Sequence, residues 1–383
     1  MLRCTSCGRM YSFDSPYQRC ECGEPLELEL FNGMYKKKGK RVWERFSEFF
    51  PLELDPELSL GEGDTPLTRA KKLSKELGIE LYLKNETINP TWSFKDRGTY
   101  LGIHRAIQLD FRRIGTVSTG NMAASVAAYG AHSELEVYIL VSSTIPEEKI
   151  KALAPYGAKI VKVHGDYGEL YYRALEIGQK KGIYFINSDD PFRVEGYKSI
   201  SFEISEEITP DYVIVPTSSG GLFRGIVKGF LEAKNSGLIE KLPRFFVVQA
   251  EGCSPICKAF NAGKEKIERF ENPHTIAHAI ENPYPPSGNA VLRLLKKLNG
   301  ICTTVTDEEI LEAQKILGRE GIFVQLASAT GIAAVKKLRR KGIIKEGAIV
   351  VSILTGSGLK TLRYIKQPKV EECSLQRLEE CIG

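Results

Sequence analysis

The chain has 383 residues, 42% apolar and 26% charged. That globular balance excludes wholesale disorder or a collagen-like repeat and suggests two or three domains. Lys and Arg number 53 against 48 Asp and Glu, and this excess of +5 is too small for the concentrated basic face of a nucleic-acid binder.

No apolar run approaches the roughly 18 residues that would span a bilayer. Met1-Leu2-Arg3-Cys4 opens without the apolar core of a secretory signal, so a cytoplasmic protein is expected. Four of the nine cysteines fall in the first 22 residues, as Cys4-x-x-Cys7 and Cys20-x-Cys22. Two such pairs can fold back to present four thiolates tetrahedrally to zinc, and four protein ligands leave no open position, so the site would be structural. Gly8 and Gly23 follow the pairs and allow tight turns around a metal. The alternative is four reduced thiols. Cys253, Cys257, Cys302, Cys373 and Cys381 show no ligand spacing and are expected as buried free thiols. His274 and His278 lack the intervening Glu of a zinc-protease helix, so a packing or surface role is expected. The run Lys36-Lys37-Lys38-Gly39-Lys40-Arg41 reads as a solvated linker or helix face, with nucleic-acid contact as the rival.

From Gly61 onward short β-rich runs alternate with helical stretches. The strands are expected at 81–84, 114–118, 136–141, 159–163, 183–186, 212–215, 245–249, 301–305 and 349–354. Between them lie amphipathic segments such as Glu308 to Leu317, with Ile310, Ala313, Ile316 and Leu317 on one stripe. The class is α/β, with parallel sheets covered on both faces. Ligands then sit where strand ends open into helices, and four segments with chemical content fall at such places.

Asn89 to Gly98 follows a strand and places Lys95 near a helix N-terminus, where the helix dipole disfavours an ammonium. A lysine that loses its proton there can attack a carbonyl; taken alone, a surface lysine in a first turn is the favoured reading. Ser118-Thr119-Gly120-Asn121 closes a strand and opens a helix, a setting for a carboxylate, although an N-capped helix would also use such residues. Ser218-Ser219-Gly220-Gly221 follows the strand Tyr212 to Val215 and can bring helix N–H groups to a phosphate; a plain glycine turn competes. It is neither a Walker loop nor a dinucleotide fingerprint. Thr355 ends the last strand, where its hydroxyl could meet a heteroaromatic nitrogen.

Together and in this order, these segments resemble the fold type II, tryptophan-synthase-β-type pyridoxal-phosphate enzymes, and within them the threonine synthase family. The matching runs are Gly61 to Leu67, Ser93 to Gly98, Ser118 to Asn121, Asn187 to Lys198, Gly321 to Ala329 and Thr355 to Lys360, spread over residues 60 to 365. The resemblance implies that Lys95 binds pyridoxal 5′-phosphate covalently and moves protons, and that Asn121 meets the ring oxygen. It implies Ser218, Ser219, Gly220 and Gly221 at the cofactor phosphate, Thr355 at the pyridine nitrogen, and Ser118 and Thr119 at the substrate carboxylate. Asn187, Ser188 and Arg193 would hold the phosphate of a small phosphorylated amino acid, Arg being suited to a phosphate fork.

The implied reaction is O-phosphohomoserine plus water giving threonine and phosphate. Four positions depart from the family pattern: Trp92, expected to crowd the pocket, Met122 for a Thr, Ser219 in a loop more like that of serine/threonine dehydratases, and Gln325-Leu326 for Glu-Pro. An enzyme acting at Cβ, such as a serine/threonine dehydratase or an O-phosphoserine-using synthase such as cysteate synthase, is the alternative; a nucleic-acid-binding zinc-ribbon protein is a remote one. The expected layout is a zinc-ribbon-like segment over 1–30, a linker over 31–60, a large domain from 61–99 and 201–365, a small mobile domain over 100–200 and a tail over 366–383. A cytoplasmic homodimer with no membrane or nucleic-acid partner is expected.

Overall fold

The computed structural model describes residues 1–31, 33–35, 39–118, 120–143, 147–365, 370 and 372–377. Thr119, Lys36 to Lys38 of the basic run, and Cys381 lie outside the described residues. Among the described residues no helix is long and apolar enough to cross a membrane.

The strands are β1 Leu2–Cys4, β2 Met10–Tyr11, β3 Leu26–Leu28, β4 Leu67–Arg69, β5 Glu80–Asn85, β6 Arg113–Val117 and β7 Glu136–Ser142. They continue with β8 Lys159–Val163, β9 Tyr184–Phe185, β10 Tyr212–Pro216, β11 Arg244–Ala250, β12 Ile301–Val305 and β13 Ile349–Leu354. All nine expected strands are present within a residue or two. They form three sheets: a ribbon β2-β1-β3, a six-stranded sheet β12-β11-β10-β13-β5-β4 and a four-stranded sheet β8-β7-β6-β9. The four-stranded sheet is wholly parallel. In the six-stranded sheet β4 departs from the expected parallel arrangement: it pairs antiparallel with β5 at the edge. The chain reverses between them through the short helix Lys71–Leu77, a connection shorter than the crossover of a dozen or more residues that parallel neighbours need.

Two-sided burial explains why the central strands are continuous apolar runs. Val213 and Val215 of β10, Phe245 and Val247 of β11, and Val351 and Ile353 of β13 pack into one core, which also takes the small-sheet residues Ile114 and Ile139. Their neighbours Ile214, Phe246, Val248, Val350 and Leu354 face a second core on the other side. The second core is closed by helices Asp307–Arg319 and Leu326–Arg340. The first of these begins in a capping box between Thr306 and Glu309 and buries Ile310, Ala313 and Leu317, as the stripe predicts.

Helix Pro191–Glu207 lies at the centre of the molecule and is buried on nearly every side. Its buried Glu195, Lys198 and Glu203 are tolerated because each meets an opposite charge, Lys228 pairing with Glu195. Lys198 reaches Glu195 at 2.6 Å and Glu232 at 2.9 Å. Glu203 meets Arg97 at 2.5 Å and Lys84 at 2.6 Å, while Arg97 also meets Glu86 at 2.7 Å. Against the cost of burial, the Arg97 and Lys84 cations hold the Glu203 carboxyl down to about 2. This balanced cluster locks helix Lys95–Gln108 onto the central helix.

The cysteines correct one expectation. Cys253 is buried and free, but Cys257 and Cys302 are joined as a disulfide. Helix Pro255–Asn261 packs beside β12 and brings their Cα atoms to 5.0 Å across 45 residues of sequence, a juxtaposition that spacing cannot show. Cys373 is exposed and is also disulfide-bonded. His274 and His278 are both exposed.

Candidate active site

Each candidate segment emerges from the carboxyl end of a parallel strand. Helix Lys95–Gln108 begins ten residues after β5; Ser118 follows β6, Asn187 and Ser188 follow β9, Ser218 to Gly221 follow β10, and Thr355 follows β13. The loop before Lys95 is pinned by Asp96, whose fully buried carboxylate accepts from the Thr91 amide at 2.7 Å and the Thr91 hydroxyl at 2.5 Å. Trp92 sits in the left-handed region at φ 62°. Its amide bonds the Asn89 carbonyl at 2.7 Å and its own carbonyl accepts from Ser357 at 3.0 Å; the side chain is 49% exposed.

Lys95 is half-buried, and its Nζ lies 4.4 Å from the Phe94 ring centroid and 6.0 Å from that of Tyr197. Among the described residues its amine has no hydrogen-bond partner. Removal from water, with the Arg193 cation nearby, pulls it down to about 7. Lys95 is thus an available nucleophile and proton carrier near neutral pH.

Arg193 is fully buried on the first turn of helix Pro191–Glu207. Its Nε donates to the Tyr197 hydroxyl at 2.6 Å and its Nη2 to the Lys95 carbonyl at 3.1 Å, while Nη1 has no partner among the described residues. Asn187 uses its Oδ1 to accept from the Val117 amide at 3.0 Å, and its buried Nδ2 is also unpartnered among the described residues. Two unsatisfied buried donors are costly unless a ligand takes them.

The loop after β10 is separate from these donors but touches them. Gly220, at φ 95°, caps helix Gly221–Asn235, and the first helical bond runs from the Arg224 amide to the Gly220 carbonyl at 3.1 Å. The amides of Gly221, Leu222 and Phe223 therefore have no intrahelical acceptor and can take an anion. A Cβ on Gly221 would come within 2.2 Å of the Ser188 carbonyl oxygen, so only glycine lets the two loops approach. Asn282 donates to the Ser219 hydroxyl at 3.2 Å and the Ser287 amide to the Ser219 carbonyl at 3.0 Å.

Across the cleft, Asn121 Nδ2 donates to Gln325 Oε1 at 2.7 Å. Gln325 in turn donates its amide N–H to the Gly356 carbonyl at 2.9 Å, and the Phe94 amide donates to Thr355 at 3.1 Å. The Thr355 and Ser328 hydroxyls are 2.8 Å apart. Lys95, Asn121, Thr355, Arg193, Asn187, Ser188 and the 218–221 loop thus form one contiguous set, with Ser118 half-buried at the end of β6. Met122 is buried beside Asn121. Sequence reading did not assign Gln325, Ser328, Asn282, Ser287 or Tyr197 to the site. Gln325, Ser328 and Tyr197 lie inside matching runs and could have been found; Asn282 and Ser287 carry no local signal.

The N-terminal cysteines also converge. Cys4 and Cys22 Sγ are 3.5 Å apart and Cys7 and Cys20 Sγ 3.6 Å apart, with all four within 4.8 Å of one another. Four thiolates at about 2.3 Å from one zinc would lie about 3.8 Å apart.

The site has the parts that a pyridoxal-phosphate enzyme needs: an unpartnered amine of lowered basicity, an anion-binding helix start and a hydroxyl at a strand end. The family model described as "Pyridoxal-phosphate dependent enzyme" matches residues 58–356, and the chain belongs to that family. Over its full length it is 40% identical to the threonine synthase of Methanocaldococcus jannaschii, covering 99% of that protein. It is 34% identical to the threonine synthase of Methanosarcina acetivorans, with 100% and 98% covered. The threonine synthase of Halalkalibacterium halodurans is 37% identical over 83% of this chain and 88% of its own. Among solved structures, diaminopropionate ammonia lyase from Escherichia coli superposes with a TM-score of 0.69 at 16% identity, covering 82% of this chain and 93% of that one. Maize serine racemase gives 0.65 at 22%, with 83% and 91% covered. These structural likenesses bear on the fold, which is that of the fold type II enzymes.

Proposed function

We propose that this protein, a pyridoxal-phosphate-dependent lyase, converts O-phosphohomoserine and water to threonine and inorganic phosphate. The observation that carries this reading is a pair of buried donors, Arg193 Nη1 and Asn187 Nδ2, without a partner among the described residues, with Arg193 bonded to the Lys95 carbonyl; we read them as a second anion site. Two of the Arg193 nitrogens serve the fold, at Tyr197 and the Lys95 carbonyl, and the third is left for a phosphate.

Pyridoxal phosphate, when bound, supplies the electron sink for negative charge developing on the substrate carbons. Lys95 would hold it covalently, the amides of the 218–221 loop its phosphate, Asn121 its ring oxygen and Thr355 its pyridine nitrogen. Thr355 is neutral, so it does not favour a protonated ring. Ser118 and Thr119 would orient the substrate carboxylate, while Arg193, Asn187 and Ser188 hold the substrate phosphate and neutralise charge as it leaves Cγ. Lys95, titrating near 7, can take the proton from Cα and then assist removal of one from Cβ. Water adds at Cβ. The unit built on the four-stranded sheet would close over the cleft and admit only that water.

Two further readings belong here. The near-tetrahedral spacing of the four Sγ atoms supports a structural zinc held by Cys4, Cys7, Cys20 and Cys22. The working form is taken to be a cytoplasmic homodimer, as the resemblance implies.

The test is phosphate release by the cofactor-loaded protein given O-phosphohomoserine, with O-phosphoserine in parallel and Lys95→Ala as control. Lysine-dependent release with threonine as co-product is expected. Silence on phosphohomoserine alongside turnover of phosphoserine would move the assignment to Cβ chemistry.

A further inference from the structure

Arg19 precedes the metal-site residue Cys20, and its side chain leaves the ribbon for the body of the protein. Its side chain is 11% exposed and pairs with Asp189, whose carboxylate is fully buried. The same Nη1 donates to the Pro286 carbonyl at 3.2 Å. Its Nε donates to the Gly23 carbonyl at 3.1 Å, in the turn that follows Cys22. One residue earlier, buried Gln18 donates to the Phe185 carbonyl at 2.6 Å, the same oxygen that receives the Asn187 amide at 2.9 Å.

These contacts fall on the supports of both anion sites. Asp189 lies within the segment 187–193, between Asn187 and Arg193. Pro286 precedes Ser287, whose amide holds the Ser219 carbonyl. One guanidinium therefore ties the substrate-phosphate segment to the support of the cofactor-phosphate loop, from a ribbon closed by four cysteines. Electrostatics adds a second reason for its presence. Asp189 is a buried anion beside a site that must accept another anion; among the described residues its Oδ1 has no hydrogen-bond partner and Arg19 provides its ion pair. An unpaired carboxylate there would repel an incoming phosphate and would draw neighbouring donors toward itself.

We propose that Arg19 is a positioning residue for the substrate phosphate: it neutralises Asp189 and holds segment 187–193 so that Asn187 and Arg193 stay free to receive phosphate. This rests on the phosphorylated-substrate reading above, and it makes the ribbon a brace for the active site.

The experiment uses the full-length holoenzyme as wild type, Arg19→Gln, Asp189→Asn, the double variant and Glu24→Gln. Glu24 lies near Arg19 but anchors the ribbon through other partners, Arg293 at 2.7 Å and Asn289 at 2.7 Å, so Glu24→Gln reports general loosening of the ribbon with the Arg19–Asp189 pair kept. Three quantities are read: kcat and KM with O-phosphohomoserine, the dissociation constant of inorganic phosphate by calorimetry, and Tm. Arg19→Gln should raise KM and the phosphate dissociation constant about tenfold, with kcat changed by less than about threefold. The double variant should recover most of that loss, because Asn at 189 removes the unpaired charge. Glu24→Gln should leave both constants within about twofold, whatever its Tm.

A phosphate constant unmoved by Arg19→Gln overturns the proposal, as does an equal shift in Glu24→Gln or a double variant no better than the single one. Should Arg19→Gln fail to yield holoenzyme, Arg19→Lys is read the same way. It keeps a cation without the guanidinium fork, and a shift of about threefold or more is expected; no shift overturns the proposal. If the wild type does not turn over phosphohomoserine, the reaction assigned is wrong, and the calorimetric phosphate constants alone decide the role of Arg19.

Discussion

Gly221→Ala tests the site through a single methyl group. The Cβ would lie 2.2 Å from the Ser188 carbonyl oxygen and 3.7 Å from Tyr197 Cε2. A comfortable carbon–oxygen contact is over about 3 Å, so one of two backbones must move by roughly 1 Å. Neither is a side-chain tip that can swing aside: one carries the helix start proposed for the cofactor phosphate, the other the segment proposed for the substrate phosphate. No φ strain enters, because only Gly220 in this pair has a left-handed backbone. Overpacking of this kind costs about 1–3 kcal/mol, equivalent to roughly five- to 150-fold in a binding constant. Fluorescence titration of the apoprotein with pyridoxal phosphate measures one half of the loss, and KM for the phosphorylated substrate measures the other. Their split shows which backbone yields. A cofactor dissociation constant and a KM both within twofold of wild type, at unchanged Tm, would refute the close approach of the two loops.

Cofactor loading should follow the ionisation of Lys95. Its amine is drawn down to about 7, and only the neutral form attacks, so the loading rate of the apoprotein should rise with pH, reach half its maximum near 7 and flatten above. A rate still climbing through pH 9 would contradict this. Arg193→Gln removes a neighbouring cation, so the midpoint should move up, and KM for the phosphorylated substrate should rise by about 10-fold or more with loss of a charge-assisted bond. Gln325→Leu takes away the partner of Asn121, worth about 0.5–1.5 kcal/mol; it should shift the absorbance of the bound cofactor and lower kcat roughly two- to tenfold. Unchanged spectra and kcat would leave Gln325 as a simple helix cap.

The apolar runs determined much on their own. A strand buried on both faces, such as Phe245 to Gln249, must be apolar at successive positions, and the stripe of Ile310, Ala313 and Leu317 must repeat at the helical period, so these elements are legible locally. Residues at strand ends, from Lys95 to Thr355, were legible because a parallel α/β sheet gathers its ligands there. Helix Pro191–Glu207 shows the limit: buried all round, it has no polar face to set a period, and its charges resolve only when Arg97, Lys84, Glu232 and Lys228 arrive from other elements. The Cys257–Cys302 bond, the Ser328–Thr355 hydroxyl pair and the antiparallel β4 likewise join positions whose separation carries no pattern. Arg19 is the same case, a ribbon residue whose role depends on Asp189, 170 residues away. Periodicity and turn chemistry are written within a dozen residues. Pairing of buried charges and close packing of loops depend on which elements meet, and only the tertiary structure decides that.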